Sequence, residues 1–496
     1  MAGNPKTEQD EALGLRQKVK HAVLWRSGSQ IVAQLITWTV TFVVIRLLDP
    51  KDYGLFAMTQ VVLMFLTLLN GYGFANALIQ TETIDRQKIR QVFGLLLLLN
   101  GGLALLQLLM APIAAAYFRQ PMVADLLRVQ ALLYLFTPFI ALPNAILSRE
   151  INFRRQAQVD LASSICSAAA ALALAKAGWG VWTLVLAPIV LFGMRAIILT
   201  LIARSLVWPS FRFSGAGKMF RYGGTMVLVQ FFWFVQSQAD VFIAGRSFPP
   251  HELGIYTTSL FLTSILAAKF VPPLNDVSFA AYARMQSDRG AIAFAFSRAV
   301  RLIMLIALPF YFGLAATAEP LVLTVLGPKW VETIPIVRLL ALGMPFMTLQ
   351  ILFNPATNAL GRPGVPLRAA MCGAAIMPLS FLVGVRFGTY GLALAWLTGF
   401  PILTVITAAM SLPIIGLSPA KLIRAIAPAL LAAAAMVVPV LLVDSALPPL
   451  APPARLGILV LTGIAAYLAF LLLFARAMVR EVIEFVRKRP AAPAAA

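Results

Sequence analysis

Apolar residues run along this chain in long blocks rather than in alternation, and short polar, basic or Pro/Gly-containing stretches bound each block. A helix needs about 20 such residues to cross a hydrocarbon layer about 30 Å thick. The pattern predicts helices near 22–48, 54–80, 92–117, 127–149, 158–177, 180–203, 223–246, 253–281, 293–317, 331–360, 366–386, 390–412, 422–444 and 455–477. Residues 1–21 and 480–496 read as polar, basic cytoplasmic tails, since no small-residue cleavage site follows the first apolar block. The expected fold class is an all-α polytopic membrane protein of about fourteen transmembrane helices.

An internal repeat organises these helices. RLLDPKDYGLF at 46–56 matches RSFPPHELGIY at 246–256 under a shift of 200 residues. Arg46 pairs with Arg246, Pro50 with Pro250, Asp52 with Glu252, Gly54 with Gly254 and Phe56 with Tyr256, and Gln30 pairs with Gln230 at the same shift. The copies start at predicted helices 1 and 7 and so share one membrane orientation. This predicts two six-helix lobes in parallel repeat, 22–206 and 223–415, joined by a cytoplasmic interlobe loop at 207–222 and followed by two C-terminal helices over 416–479. Two such lobes would enclose a central cavity able to open to either side, while a duplicated hairpin without transport meaning is the plainer alternative.

Composition agrees with this reading. Of 496 residues, 60% are hydrophobic and 12% charged, whereas an ordinary globular protein carries about 25% charged residues. The formal net charge of +21 would suggest nucleic acid in a soluble protein. Sorting the 40 Lys and Arg onto the predicted spans removes that need. Arg46, Lys51, Arg119, Arg128, Lys176, Arg246, Lys329, Arg338, Arg386 and Arg455 fall on one side, Arg195 and Lys269 fall inside helices, and the larger remainder lies on the other side with both tails. Cytoplasmic loops hold such an excess for topological reasons, so both termini are expected in the cytoplasm and no nucleic-acid partner is expected.

Charges within spans are costly, and each is a functional candidate. Helix 1 offers Arg26, Gln30, Gln34, Thr37 and Thr41 on one face, with Arg26 snorkelling to the interface as the alternative. Gln230, Gln236, Gln238 and Asp240 lie on helix 7, and Lys269, Asn275 and Asp276 on helix 8. Lys269 sits near mid-span, and Asp276, seven residues on, could be its latch partner. Arg26, Gln30, Gln34, Arg195, Gln230 and Lys269 are the candidate cavity residues for a phosphate, diphosphate or sugar. Asp240 and Asp276 are candidates for a coupling proton or sodium ion, or for a structural latch.

Enzyme signatures are missing: no Walker loop, nucleophile elbow, HExxH or paired loop carboxylates occur. Cys166 and Cys372 stand far apart in apolar stretches, and His21 and His251 are the only histidines. No cofactor, metal site or catalytic residue is expected.

VIRLLDPKDYGLFAM and GFANALIQ resemble motifs of the polysaccharide-transport (Wzx-type oligosaccharide-lipid flippase) branch of the multidrug/oligosaccharidyl-lipid/polysaccharide exporter superfamily. So do LSREINFRR, SQADVFIAGRSFPPHELGIYTTS, FAAYARMQSD and VLGPKW, in the family's order along most of the chain. The resemblance implies a flippase of undecaprenyl-diphosphate-linked oligosaccharides (O-antigen, capsule or exopolysaccharide) in a bacterial inner membrane. Its expected partners are that substrate and membrane lipids, with H+ or Na+, a polysaccharide polymerase and glycosyltransferases as further candidates. It also implies that Arg26 and Lys269 stand where related flippases place cavity cations, a match by helix rather than by motif. Helices 13 and 14 resemble a pair that lines a lipid-tail groove in lipid II flippase relatives. A lipid II flippase, a multidrug-extrusion transporter and a non-transporting scaffold of a polysaccharide assembly complex stand as alternatives.

Overall fold

The computed structural model describes residues 28, 32–69, 85–149, 153–203, 205–211, 217–476, 478 and 480, with backbone alone at 153 and 217–229. Among them every regular element is helical. The chain divides into two compact units, Met1–Phe231 with Pro249–His251, and Phe232–Phe248 with Glu252–Ala496.

The first unit holds α1 (Val32–Leu47), α2 (Pro50–Thr67), α3 (Arg86–Phe118), α4 (Met122–Gln130), α5 (Leu132–Phe136), α6 (Pro138–Arg149), α7 (Phe153–Lys176), α8 (Val181–Ala203) and the start of α9 (Gly217–Ser247). The rest of α9 belongs to the second unit, with α10 (Pro250–Lys269) from Glu252 on, α11 (Val271–Arg284), α12 (Arg289–Ala316), α13 (Ala318–Val325), α14 (Thr333–Ile351) and α15 (Phe353–Ala359). It is completed by α16 (Gly364–Gly384), α17 (Gly388–Ile415), α18 (Pro419–Ala446) and α19 (Pro452–Phe474). Among the described residues, ten helical segments are long and apolar enough to cross a membrane. One of them, Gly364–Ile415, is 52 residues long, more than twice the need of a single crossing, and it folds back on itself as α16 and α17.

Local chemistry sets the ends of these helices. Asp85 caps α3 by accepting the Gln87 N–H at 3.3 Å, and Asp288 caps α12 by accepting the Ala291 N–H at 3.0 Å. Pro50 opens α2, and its Asp52 accepts the Asp49 N–H at 3.2 Å. The other Asp52 oxygen accepts the Val181 N–H at 3.1 Å, so one carboxylate caps its own helix and the buried start of α8. Gly180, at φ +52, lets α8 begin against Asp52, in a backbone conformation that a side chain would strain.

Three predicted helices turn out to be broken. The span at 127–149 is interrupted at Ala131 and Thr137, that at 253–281 at Phe270, and that at 331–360 at Leu352. Proline has no N–H and its ring excludes the carbonyl four residues back. Pro138, Pro272 and Pro355 each follow a break within three residues. Pro112, Pro188, Pro309 and Pro378 nevertheless stay inside continuous helices. Proline therefore permits a break that the packing around it decides. α13 and the tight turn at Pro328–Trp330 are additions to the predicted elements.

The second unit is built on one large apolar cluster, in which Phe296 and Met304 of α12, Phe353 of α15 and Ala429, Ala433 and Met436 of α18 are buried. The first unit relies on several smaller clusters, such as Phe93 and Leu96 with Leu142 and Ala145. Without a hydrophobic force between helices in lipid, close approach at small residues stabilises such bundles. The α16–α17 hairpin shows it: a Cβ added at Gly384 would run into the Gly391 carbonyl, and one added at Gly399 would meet Met377 Sδ at 2.9 Å.

Polar pairing completes the second unit's interior. The Trp396 indole N–H donates to Tyr256 Oη at 2.7 Å, and the Tyr256 hydroxyl donates to Asp240 Oδ2 at 2.7 Å. All three side chains are buried, and they join α17, α10 and α9. One turn earlier on α9, Gln236 lies against Gly373 of α16, where an added Cβ would overlap its Oε1.

Two outcomes follow. Gly384→Val should lower the unfolding temperature in detergent, as overpacking costs about 1–3 kcal/mol. Gly457→Ala, with nothing within 4 Å of the added carbon, should leave it unchanged or raise it. Tyr256→Phe strips the donor from Asp240 and the acceptor from Trp396, so a loss of about 1–3 kcal/mol is expected. Combined with Asp240→Asn it should cost clearly less than the sum of the two single changes; strict additivity would show that the pair is not coupled.

Candidate functional site

Within the second unit, α10 ends at Lys269 and α11 starts at Val271. Pro272 and Pro273 cannot donate to the carbonyls of residues 268 and 269, so the helical ladder lapses beside the lysine. Lys269 is exposed, as are Phe270, Leu274, Asp276 and Val277 on the segment that follows. Only Val271 and Tyr282 of α11 are buried. An amphipathic strip carrying a lysine at a helix break in a spanning segment is a setting in which discontinuous helices hold charged groups.

Lys269 and Asp276 make no ion pair among the described residues. Their shared face presumed a continuous helix, and the break at Phe270 removes that register. Neighbouring Asn275 donates to the Ile351 carbonyl at 3.4 Å, which fastens α11 to the end of α14. Asp240 lies elsewhere in the unit, held by Tyr256 and not by a cation.

The candidates of the first unit are dispersed. Gln34 is half-buried on α1, and Gln230 is exposed on α9. Arg195 is half-buried on α8, and its Nη2 lies 2.9 Å from Asp160 of α7. Arg26 and Gln30 lie outside the described residues.

A second feature went unread in the sequence apart from its two C-terminal helices. An apolar groove of about 440 Å³ runs between α12, α13, α18 and α19. Its walls include Pro309, Phe310, Gly313 and Thr317, then Leu321, and facing them Met436, Val440, Leu459, Gly463 and Tyr467. At Gly313 and Gly463 an added Cβ would reach ordinary contact with Met436 and Val440, at 3.5 and 3.4 Å.

One end of this groove is closed by a charged staple. Arg455 donates from Nε to Asp444 Oδ1 at 2.7 Å and from Nη2 to Asp444 Oδ2 at 2.9 Å, with Glu319 Oε2 3.4 Å from Nη2. Asp444 is one turn beyond Val440, Arg455 one turn before Leu459, and Glu319 between Thr317 and Leu321. The three walls are thus tied together at the same end. The sequence placed Arg455 among loop charges, because nothing in a lone arginine reveals partners 11 and 136 residues away.

No three His, Cys, Asp or Glu side chains cluster as a metal would require among the described residues. The candidate features are therefore an exposed lysine at a helix break, with no ion pair among the described residues, and an apolar groove elsewhere in the same unit. They offer attraction for an anion and a surface for a hydrocarbon chain.

A chain 26% identical over 376 residues, covering 75% of this protein and 76% of its own length, is the succinoglycan biosynthesis transport protein ExoT of Rhizobium meliloti. The lipopolysaccharide biosynthesis protein WzxC of Escherichia coli is 21% identical over 75% of this chain and 79% of its own. Among solved structures, the lipid II flippase MurJ in an inward closed conformation matches with a TM-score of 0.74 at 15% identity, over 92% of this chain and 100% of that one; at that identity the likeness speaks for the fold alone. The family model for polysaccharide biosynthesis proteins matches residues 43–335. Since that stretch is more than half of the chain and carries the motifs of the polysaccharide-transport branch, this multi-pass membrane protein belongs to the polysaccharide biosynthesis protein family.

Proposed function

We propose that this protein is a flippase that moves undecaprenyl-diphosphate-linked oligosaccharide repeat units from the inner to the outer leaflet of a bacterial inner membrane. The units would be those of an O-antigen, capsule or exopolysaccharide. The observation that carries the reading is the pairing, in one unit, of unpaired Lys269 at a helix break with an apolar groove. Relatives named as a polysaccharide transport protein and a lipopolysaccharide biosynthesis protein support it.

The physics of the task explains why both features are needed. Taking a diphosphate and its sugars through hydrocarbon strips water from polar groups, at a cost of several kcal/mol for each one left unpaired. A polyprenyl tail has the opposite preference and gains by staying in apolar surroundings. Lys269 would hold the head by charge-assisted hydrogen bonds, and Arg26, Gln30, Gln34, Arg195 and Gln230 are the further candidates for contacts to it. The groove along α18 and α19 would take part of the tail.

Alternating access by two six-helix lobes, 22–206 and 223–415, would pass the head from one leaflet to the other, with helices over 416–479 carrying the groove. About fourteen spans and both termini in the cytoplasm belong to this reading. Of the two carboxylates, Asp276 is exposed and Asp240 is sealed under Tyr256. Asp276 is therefore the proposed coupling-ion site, for a proton or sodium ion, and Asp240 the latch.

If Lys269 holds the diphosphate, Lys269→Ala abolishes complementation of a flippase-null strain while the protein still reaches the membrane, and Lys269→Arg restores part of it. Normal polysaccharide with alanine there would remove Lys269 from the site. A strain lacking this protein should build up lipid-linked repeat units on the inner leaflet. Build-up of lipid II instead would favour a peptidoglycan flippase, and of unlinked sugar nucleotides an enzyme.

A further inference from the structure

Past the end of α8 the chain is not helical over Ser205–Phe211, reading Ser-Leu-Val-Trp-Pro-Ser-Phe, and its first four residues alternate between inward and outward side chains. Ser205 is buried and Val207 packs into the cluster around Phe93, whereas Leu206 is 77% and Trp208 84% exposed, with Phe211 exposed beyond them. The segment is pinned in place. The Ser210 N–H donates to the Arg90 carbonyl at 2.9 Å, and Arg90 Nε donates to the Trp208 carbonyl at 2.9 Å. Gly94 allows this approach, since an added Cβ would run into the Ser210 carbonyl.

Three large apolar side chains are thus held outward by a clamp. Their position answers what covers them. The clamp sits at the start of α3 and just past the end of α8, two helices long and apolar enough to cross a membrane, so it lies towards the headgroup side and not at mid-span. Tryptophan concentrates at that boundary, with its ring among the headgroups. The surroundings are cationic: Arg86, Lys88 and Arg90 are exposed in the first turns of α3, and Arg204 and Arg212 flank the segment in sequence. Asp85, the carboxylate at this helix start among the described residues, is engaged as its cap.

We propose that Ser205–Phe211 is an interfacial anchor docked on the bilayer surface, and that it selects anionic phospholipid. Leu206, Trp208 and Phe211 enter the acyl–headgroup boundary, and Arg86 and Lys88 meet the lipid phosphates, as basic residues beside an apolar ridge do at membranes carrying negative charge. Ser205–Phe211 is then a membrane-surface element and not a loop in the cytosol. Nothing in this depends on which lipid-linked sugar is carried.

The test uses full-length protein in vesicles of brominated phosphatidylcholine, with or without brominated phosphatidylglycerol. Trp208 emission is taken as the difference between the parent and Trp208→Phe. The expected emission is blue-shifted and quenched by bromine near the glycerol end of the chains, more strongly when phosphatidylglycerol carries the bromine. That preference should disappear in Arg86→Gln/Lys88→Gln. A red, unquenched emission would place the segment in water, and a blue, unquenched one would assign the surface to a protein partner; either overturns the anchor. Equal quenching by both lipids overturns the anionic selectivity. Should Trp208→Phe not fold, Leu206→Cys with an environment-sensitive fluorophore, in a Cys166→Ala/Cys372→Ala background, reads the same contrast.

Discussion

A chain in hydrocarbon must satisfy its backbone hydrogen bonds internally, and every other feature of this structure depends on that constraint. It requires helices, and it makes each interruption a place where neighbouring groups must compensate. At Phe270 the ladder lapses before Pro272 and Pro273, and Asn275 of the following helix reaches the carbonyl of Ile351, where another helix ends. At Thr137 the hydroxyl donates to the Leu133 carbonyl one turn back. In the α16–α17 hairpin the reversal is compressed into a short turn at Val385–Phe387, with Gly388 at φ +70 and Gly384 against Gly391.

The same constraint sorts the polar side chains into two kinds. Asp52, Asp240 and Arg455 each spend their hydrogen-bonding capacity on the protein: on the start of α8, on Tyr256, and on Asp444 with Glu319. Removing one partner from such a group leaves the other stranded, which is what makes these contacts costly to break. Lys269 belongs to the other kind, since it has no ion-pair partner among the described residues and lies on an exposed strip. A cation left unpaired on a spanning segment is an expense that folding does not require, and that is the ground for assigning it to a substrate.

The helices were legible in the sequence because span length and apolarity are set by the bilayer, and both are visible in single blocks such as 422–444 or 455–477. Contacts were not. The repeat aligned Asp52 with Glu252 and Phe56 with Tyr256, yet Asp52 caps a distant helix while Glu252 is exposed, and Tyr256 carries a hydroxyl bond that Phe56 has no atom to make. Sequence similarity within the repeat preserved the fold of the turn and not the bonds made from it. The latch proposed between Lys269 and Asp276 presumed helical spacing across two consecutive prolines, where that spacing does not apply. Asp240 looked the same as Asp276 in sequence, one more acid on a span, and only the burial of its partners separates them.

The groove shows how the two kinds of group cooperate. Its walls are apolar and include Gly313 and Gly463, which put no side chain between them, so dispersion alone would let α18 and α19 settle onto α12 and close the space. The Arg455 staple ties the walls at one end through bonds that cannot shorten further, with bidentate geometry that fixes direction as well as distance. It therefore acts as a spacer as much as a tie. A cavity of about 440 Å³ persists in a membrane protein only where something prevents its collapse. Here that restraint is a few charged atoms at the groove's end, and the space they preserve suits a hydrocarbon chain and not a headgroup.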